Sequence, residues 1–313
     1  MWAVLLWLLA AIACCTTKPV HALRPATFSS LAFTTADALA SVRNRNNVAT
    51  RALTRLNSLS LSPLTQDICA SALSVTGTIV WLQIWITLAK KNIIEPNLSR
   101  KIIHTGSAPL FMCLWPLYSA TPQAKYFAAG VVLLQMTRLL LAGTLKSTKE
   151  LEQSSAGASM LASSSTELVN AISRTGAKKE ALGGPLVYTM ILLLCTAVFF
   201  RESPAGIVAI IQMAAGDGMA DIVGRRFGKN NKWFLNESKS YVGSAAFVVS
   251  AFTVTCAIMA LYHATGFLGV DVVTQWPTVL LISVLCALVE VLPLGEDNVS
   301  VPIAGAVLAA WLL

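Results

Sequence analysis

Asp217 and Asp221 stand four residues apart in the stretch AAGDGMADIVGRRFGKNNKWFLNESKSYVGS, residues 214–244. On a helix that spacing puts both carboxylates on one face. They follow an apolar run, where an acid is costly unless it is paired or bound to a metal. Mg²⁺ takes one or two carboxylates and completes its shell with phosphate oxygens and water, so Asp217 and Asp221 are the candidate ligands. Gly216, Gly218, Gly224 and Gly228 surround them and would let backbone come close to a ligand. Arg225, Arg226, Lys229 and Lys239 follow and can neutralise phosphate. Acid for metal, glycine for access and base for phosphate is the layout that phosphoryl transfer requires. The plainer reading is a helix-packing seam of small residues beside basic anchors, and it leaves the two acids unexplained.

Three smaller clusters carry chemistry of the same kind. Arg100, Lys101 and His104 open one apolar segment, with Arg100 and His104 at i, i+4. Lys178, Lys179 and Glu180 precede Gly183-Gly184-Pro185 and another apolar run. Glu290 lies inside a third run, with Glu296, Asp297 and Asn298 just after it. An intramembrane Glu is a functional candidate by default. Its structural alternative is a pair with Arg138, the only basic residue within a span. For a hydroxyl proton the candidate acceptors are His104 and Glu290, and the sequence leaves both open.

The elements that must position these groups are membrane helices. Of 313 residues, 55% are hydrophobic and 12% charged, about half the charge of a soluble domain. That excludes a disordered chain and disfavours a water-soluble enzyme. Apolar segments fall at about 68–89, 106–119, 126–145, 185–200, 203–216, 243–263, 276–294 and 301–313. The expectation is therefore an all-α polytopic bundle with 7–8 crossings over residues 67–313, some of them short for a full span. Alternating the crossings places fourteen Lys and Arg on one side, and only Lys125 and Arg201 on the other. That bias makes the topology self-consistent. All four chemical clusters fall on the basic side. Residues 146–183, rich in Ser, Ala and Glu, read as a flexible loop. The seven Cys are scattered through apolar stretches and read as small buried hydrophobes.

Residues 1–22 hold a short apolar run and a Val20-His21-Ala22 cleavage-type pattern, and read as a signal peptide. Residues 23–66 are rich in Arg, Ser and Thr and poor in acids, which is transit-peptide composition. Together they resemble a bipartite plastid presequence, with an endoplasmic reticulum membrane as the alternative destination. Residues 1–66 hold six basic residues against one acidic, and residues 67–313 seventeen against fourteen. Most of the net +8 thus belongs to the address, and no nucleic-acid partner is implied.

These motifs resemble those of the CTP-dependent polyprenol kinases. Asp217, Ala220, Gly224 and Gly228 match the D-x-x-A-x-x-x-G-x-x-x-G of the dolichol kinases. Where that family continues with K-K-T-x-E-G, this chain has Ser238-Lys239-Ser240-Tyr241-Val242-Gly243. That departure looks like the KS-x-x-GS of phytol and farnesol kinases. RKIIHTG, KKEALGGPLVY, GDGMADIVGRRFG and ALVEVLPLGEDNVSVP are each similar to phytol kinase segments and come in the same order. The resemblance covers about residues 68–313. It implies transfer of the γ-phosphoryl group of CTP to phytol, giving phytyl phosphate and CDP, in salvage of chlorophyll phytol for tocopherol synthesis. It implies Mg²⁺ on Asp217 and Asp221, and catalytic roles among Lys239, His104 and Glu290. The nucleotide would be held by Gly216, Gly218, Gly224, Arg225, Gly228, Lys229, Ser240 and Gly243, with Arg100, Lys101, Lys179, Asp297 and Asn298. The other partners implied are a prenyl alcohol from the bilayer and membrane lipid; no protein partner is implied. Farnesol or geranylgeraniol is the alternative acceptor. A CDP-lipid cytidylyltransferase and a secondary transporter are the readings from other classes. No G-x-x-x-x-G-K-[ST] phosphate loop is present.

Overall fold

The computed structural model describes residues 62–144, 182–293 and 295–313. The signal-like segment, nearly all of the transit-like segment and residues 146–181 lie outside the described residues. The described chain is helical: α1 Pro63–Lys90, α2 Pro96–Cys113, α3 Ala124–Thr144, α4 Gly184–Val198, α5 Pro204–Ile211, α6 Asp217–Phe227, α7 Tyr241–Ala264, α8 Val272–Val291 and α9 Asp297–Leu312. Among the described residues there is no strand, only one isolated antiparallel bridge between Lys232 and Ser240.

Local chemistry explains where the helices begin. Ser62 accepts from the Thr65 amide at 3.2 Å, and Pro63 follows in the first turn. Ser203 and Pro204 repeat the arrangement at α5. Ser240 caps α7 through the Gly243 amide at 3.1 Å, and Asp271 caps α8 through Val273 at 2.9 Å. Such caps satisfy amides that have no partner within the helix, and proline suits the first turn, which needs no N–H there. Helix α1 thus begins at Pro63, inside the stretch that composition assigns to a presequence.

The rod from α5 to α6 is continuous. Its middle, Gln212–Gly216, is a π-helical turn. Among the described residues, five helices are long and apolar enough to cross a membrane: α1, α3, the α5–α6 rod, α7 and α8. The rod is the central one, 78% buried, whereas the others range from 17% to 39%. Its partners present apolar residues outwards, among them Leu73, Ile84, Leu133 and Leu134. In water such faces would be a liability; against lipid they are at home. Helices α4 and α9 are shorter and apolar. The segment expected at 106–119 is displaced: α2 begins at Pro96, so Arg100, Lys101 and His104 sit on the helix itself. Of the described cysteines, Cys195 and Cys286 are buried as expected, whereas Cys69 is exposed on α1.

Contacts between the connections reveal two ends. At one, the buried Arg201 donates to the carbonyls of Trp115 at 2.6 Å, Tyr118 at 3.0 Å and Ser119. Its guanidinium lies 3.4 Å over the Phe267 ring. Asp67 accepts from the Ser119 amide and hydroxyl at 2.7 and 2.9 Å. The α2–α3, α4–α5 and α7–α8 connections therefore meet there. The α6–α7 and α8–α9 connections meet at the other end, with the first turns of α4 and α9. That is the separation of sides that alternation of the basic residues implies.

Candidate active site

A cavity of about 990 Å³ opens among α1–α4, α6, the α6–α7 connection and the α8–α9 connection. It lies at the upper end of the range of single-ligand pockets. Its walls differ in character. On one side stand Asp217, Asp221, Lys239, Glu290 and Asp297; on the other stand Leu82, Phe111, Val131 and Leu192.

The polar wall is built by contacts across the chain. Lys239, in the α6–α7 connection, places its ammonium 2.6 Å from Glu290 Oε1 and 2.6 Å from Asp297 Oδ2. Burial works against the Lys239 charge. The nearby carboxylates of Glu290 and Asp217 and the hydrogen bond to Asp297 outweigh it and hold the pKa above that of an ordinary lysine. Glu290 is 2% exposed, and its partner is this lysine. Arg138 instead donates to Gln135 within α3 at 2.9 Å. Lys101 of α2 faces both motif acids, 3.3 Å from Asp221 and 3.9 Å from Asp217. Arg225 donates to Asp221 at 2.8 Å, one helical turn on.

Oxygens of Asp217, Glu290 and Asp297 all lie within 4.8 Å of one another. Three hard oxygen donors this close are a candidate cation site, although the Lys239 ammonium lies 2.6 Å from two of them in this structure. The sequence spacing pointed to Asp217 with Asp221. In the fold Asp221 sits a turn nearer the helix end, where Lys101 and Arg225 engage it, and Asp297 arrives from α9 beside Asp217.

His104 stands where the two walls join. Its Nε2 is 3.7 Å from Asp217 Oδ2, buried, and makes no hydrogen bond. The Tyr188 ring of α4 packs against the imidazole at 4.3 Å between centroids, tilted by 44°, and its hydroxyl donates to the His104 carbonyl at 3.1 Å. The motif glycines have mostly structural neighbours. A Cβ on Gly218 would collide with Thr105 of α2, one on Gly216 with the Phe247 ring, and one on Gly228 with Ser240. Gly224 and Gly243 bring α6 and α7 together, 3.6 Å from the Cβ position of one to the Cα of the other. These glycines let helices meet, and only Gly224 and Gly243 also line the cavity.

Arg100, Lys101 and Arg225 line the cavity, as do Ser240 and Asn298. Gly216, Gly218, Gly228 and the exposed Lys229 do not. Lys179 lies outside the described residues. Sequence reasoning missed Tyr188, an aromatic inside an apolar helix with nothing to mark it. It also missed the π-helical turn, where the buried Gln212 amide donates to the Ser283 hydroxyl at 3.1 Å, outside the cavity lining. A Gln inside an otherwise apolar run was the available signal.

Known proteins resemble this chain in sequence. The chain is 38% identical over 258 residues to the probable chloroplastic phytol kinase 1 of Oryza sativa subsp. japonica, covering 81% of this chain and 76% of that protein. It is 36% identical over 269 residues to the probable chloroplastic phytol kinase of Zea mays, covering 85% and 83%. Against the chloroplastic phytol kinase 1 of Arabidopsis thaliana it is 33% identical over 259 residues, covering 82% and 79%. No family model and no solved structure matches the chain.

Proposed function

The chain belongs to the phytol kinase family, and on that premise we propose that it moves the γ-phosphoryl group of CTP to the hydroxyl of phytol. The products are phytyl phosphate and CDP. The protein would work as a multi-pass enzyme of a plastid membrane, in phytol salvage for tocopherol synthesis. The observation that carries the reading is one cavity with a charged wall and an apolar wall, meeting at His104 and Asp217.

A lipid alcohol fits the apolar wall with its hydroxyl at the junction, and a nucleotide triphosphate fits the charged wall. Lys101, Lys239 and Arg225 neutralise phosphate oxygens, and their placement before reaction makes the stabilisation effective. Asp217, Glu290 and Asp297 would hold Mg²⁺, which supplies further charge neutralisation on the phosphates. The alcohol oxygen forms its bond to the γ-phosphorus as the bond to the CDP oxygen breaks. The hydroxyl proton passes to His104 Nε2, the unengaged acceptor at the junction. Glu290 suits that role less, since Lys239 already holds it. Tyr188 fixes the imidazole. Most of the rate would come from positioning and electrostatics.

Membranes carrying the protein, given labelled CTP, UTP or ATP with phytol, geranylgeraniol, farnesol or dolichol, test this directly. The expected result is Mg²⁺-dependent release of CDP with phytyl phosphate. Pyrophosphate release would identify a cytidylyltransferase instead, and absence of any alcohol-dependent lipid phosphate would refute the reading.

A further inference from the structure

We propose that the limb of the cavity walled by α1–α4 binds the isoprenoid tail of the acceptor and that Phe111 sets its depth, an inference that rests on the lipid-alcohol kinase reading above. Helix α2 draws the path. Arg100, His104, Ser107 and Phe111 all line the cavity, at steps of four, three and four residues, so they form one stripe along the helix. The stripe begins with a cation, passes the junction with Asp217, and ends on a phenyl ring about 16 Å away at helical rise. Opposite its far half stand Val131 and Val132 of α3 and Leu192 of α4. All three are buried and pack in one apolar cluster with Phe111. This part of the wall carries no charged group. An amphiphile whose hydroxyl lies at His104 can bury its tail in this direction.

The far end is closed by rigid parts. The Phe111 ring meets Trp115 edge-on at 5.7 Å between centroids. Trp115 is fully buried against Phe200 at 4.9 Å and Tyr262 at 6.0 Å. Its carbonyl is one of the three held by Arg201. A side chain backed in this way cannot swing aside to admit a longer tail, because close-packed interiors yield little. The limb also lies behind α1 and α3, whose outer faces expose Ile79, Ile84, Leu133 and Leu134. Those outer faces are the surface that a lipid alcohol in the bilayer would meet first.

Two substitutions move the floor in opposite directions. Phe111→Ala removes the ring and should favour longer tails. Val131→Phe fills the limb and should favour shorter ones. The experiment measures kcat/KM for isoprenoid alcohols from ten to thirty carbons in each variant. The C30:C20 ratio is expected to rise about tenfold in Phe111→Ala, and the C20:C10 ratio to fall about tenfold in Val131→Phe, the scale on which apolar pockets discriminate by size. Each ratio is taken within one preparation, so partial loss of folded protein cancels. Ratios within about twofold of the parent in both variants would overturn the inference. A second readout needs no turnover: a C20 alcohol with a diazirine at the tail end, photolysed on the parent protein without nucleotide. Label on peptides containing Phe111 or Val131 supports the tail site. Label confined to the outer face of α1 overturns it. An inactive parent labelled at Phe111 would count against the kinase reading and for the tail site, so the two failures are distinguishable.

Discussion

Replacing Lys239 by Met removes one ammonium and strands two carboxylates. Glu290 is 2% exposed and the Asp297 side chain 30%, and each lies 2.6 Å from the lysine Nζ. Removing one partner of a buried ion pair costs about 3–5 kcal/mol. Water at Asp297 reduces its share, so a cost of about 3 kcal/mol is expected, the lower end of that range. For a domain of this size that lowers the melting temperature by about 6–12 °C. Thermal unfolding of the detergent-solubilised protein measures it. The companion variant is Lys239→Met with Glu290→Gln, in which the more deeply buried carboxylate no longer bears an unpaired charge. It should regain at least half of the lost stability, whereas phosphoryl transfer should stay lost in both. The pH dependence has a fixed sign. The folded-state pKa of Lys239 is raised, so its stabilisation is fully present below the unfolded lysine value of about 10.4 and is lost as pH rises through the folded value. The gap between parent and variant should therefore be flat from about pH 8 to 9, where both carboxylates are ionised, and close at higher pH as the lysine loses its proton. A single variant that melts within about 1 °C of the parent would refute the reasoning, as would a double variant that melts below the single one.

Two other substitutions test the division of labour. Asp217→Asn should reduce turnover by at least about 100-fold with little loss of protein in the membrane. Asp221→Asn, whose carboxylate faces Lys101 and Arg225, should mainly raise the KM for nucleotide; equal kinetic effects in the two would contradict the assignment. Arg201→Met, at the far end, should destabilise by about 3 kcal/mol because buried carbonyls lose their donor, while the KM of the remaining folded enzyme stays unchanged.

Much of this was legible in the residues, and the unread part has a common cause. Hydrophobic runs mark helices because lipid and core both demand apolar side chains along a span. The acids Asp217, Asp221 and Glu290 stood out because such groups are costly in apolar runs. Side was legible too, since Lys and Arg gather at one end of the spans. Convergence was harder. Asp297 reaches Asp217 and Lys239 only when α9 packs beside the central rod, and nothing periodic records that contact. Asp67 and Ser119, which close the opposite end, are likewise ordinary polar residues until α1 and the α2–α3 connection meet. The motif glycines carried two meanings with one signature. Close approach to a ligand and close approach of two helices both require a missing Cβ, and the fold chooses the second at Gly216, Gly218 and Gly228.

The turn at Gln212–Gly216 has a consequence for how the rod can vary. A π-helical turn amounts to one residue more than an α-helix would use. The widened turn absorbs that residue, so α5 and α6 stay one rod while their sequence registers differ by one position, and α6 carries its acids towards the cavity. Deleting one residue within Gln212–Gly216 would return the turn to regular α-helix with α6 still facing the cavity, and only a second deletion would rotate α6 by about 100°, one residue of a 3.6-residue turn. The acids would point elsewhere only after that second loss. Substitutions along this rod test chemistry, but its length in residues is what keeps the chemistry aimed.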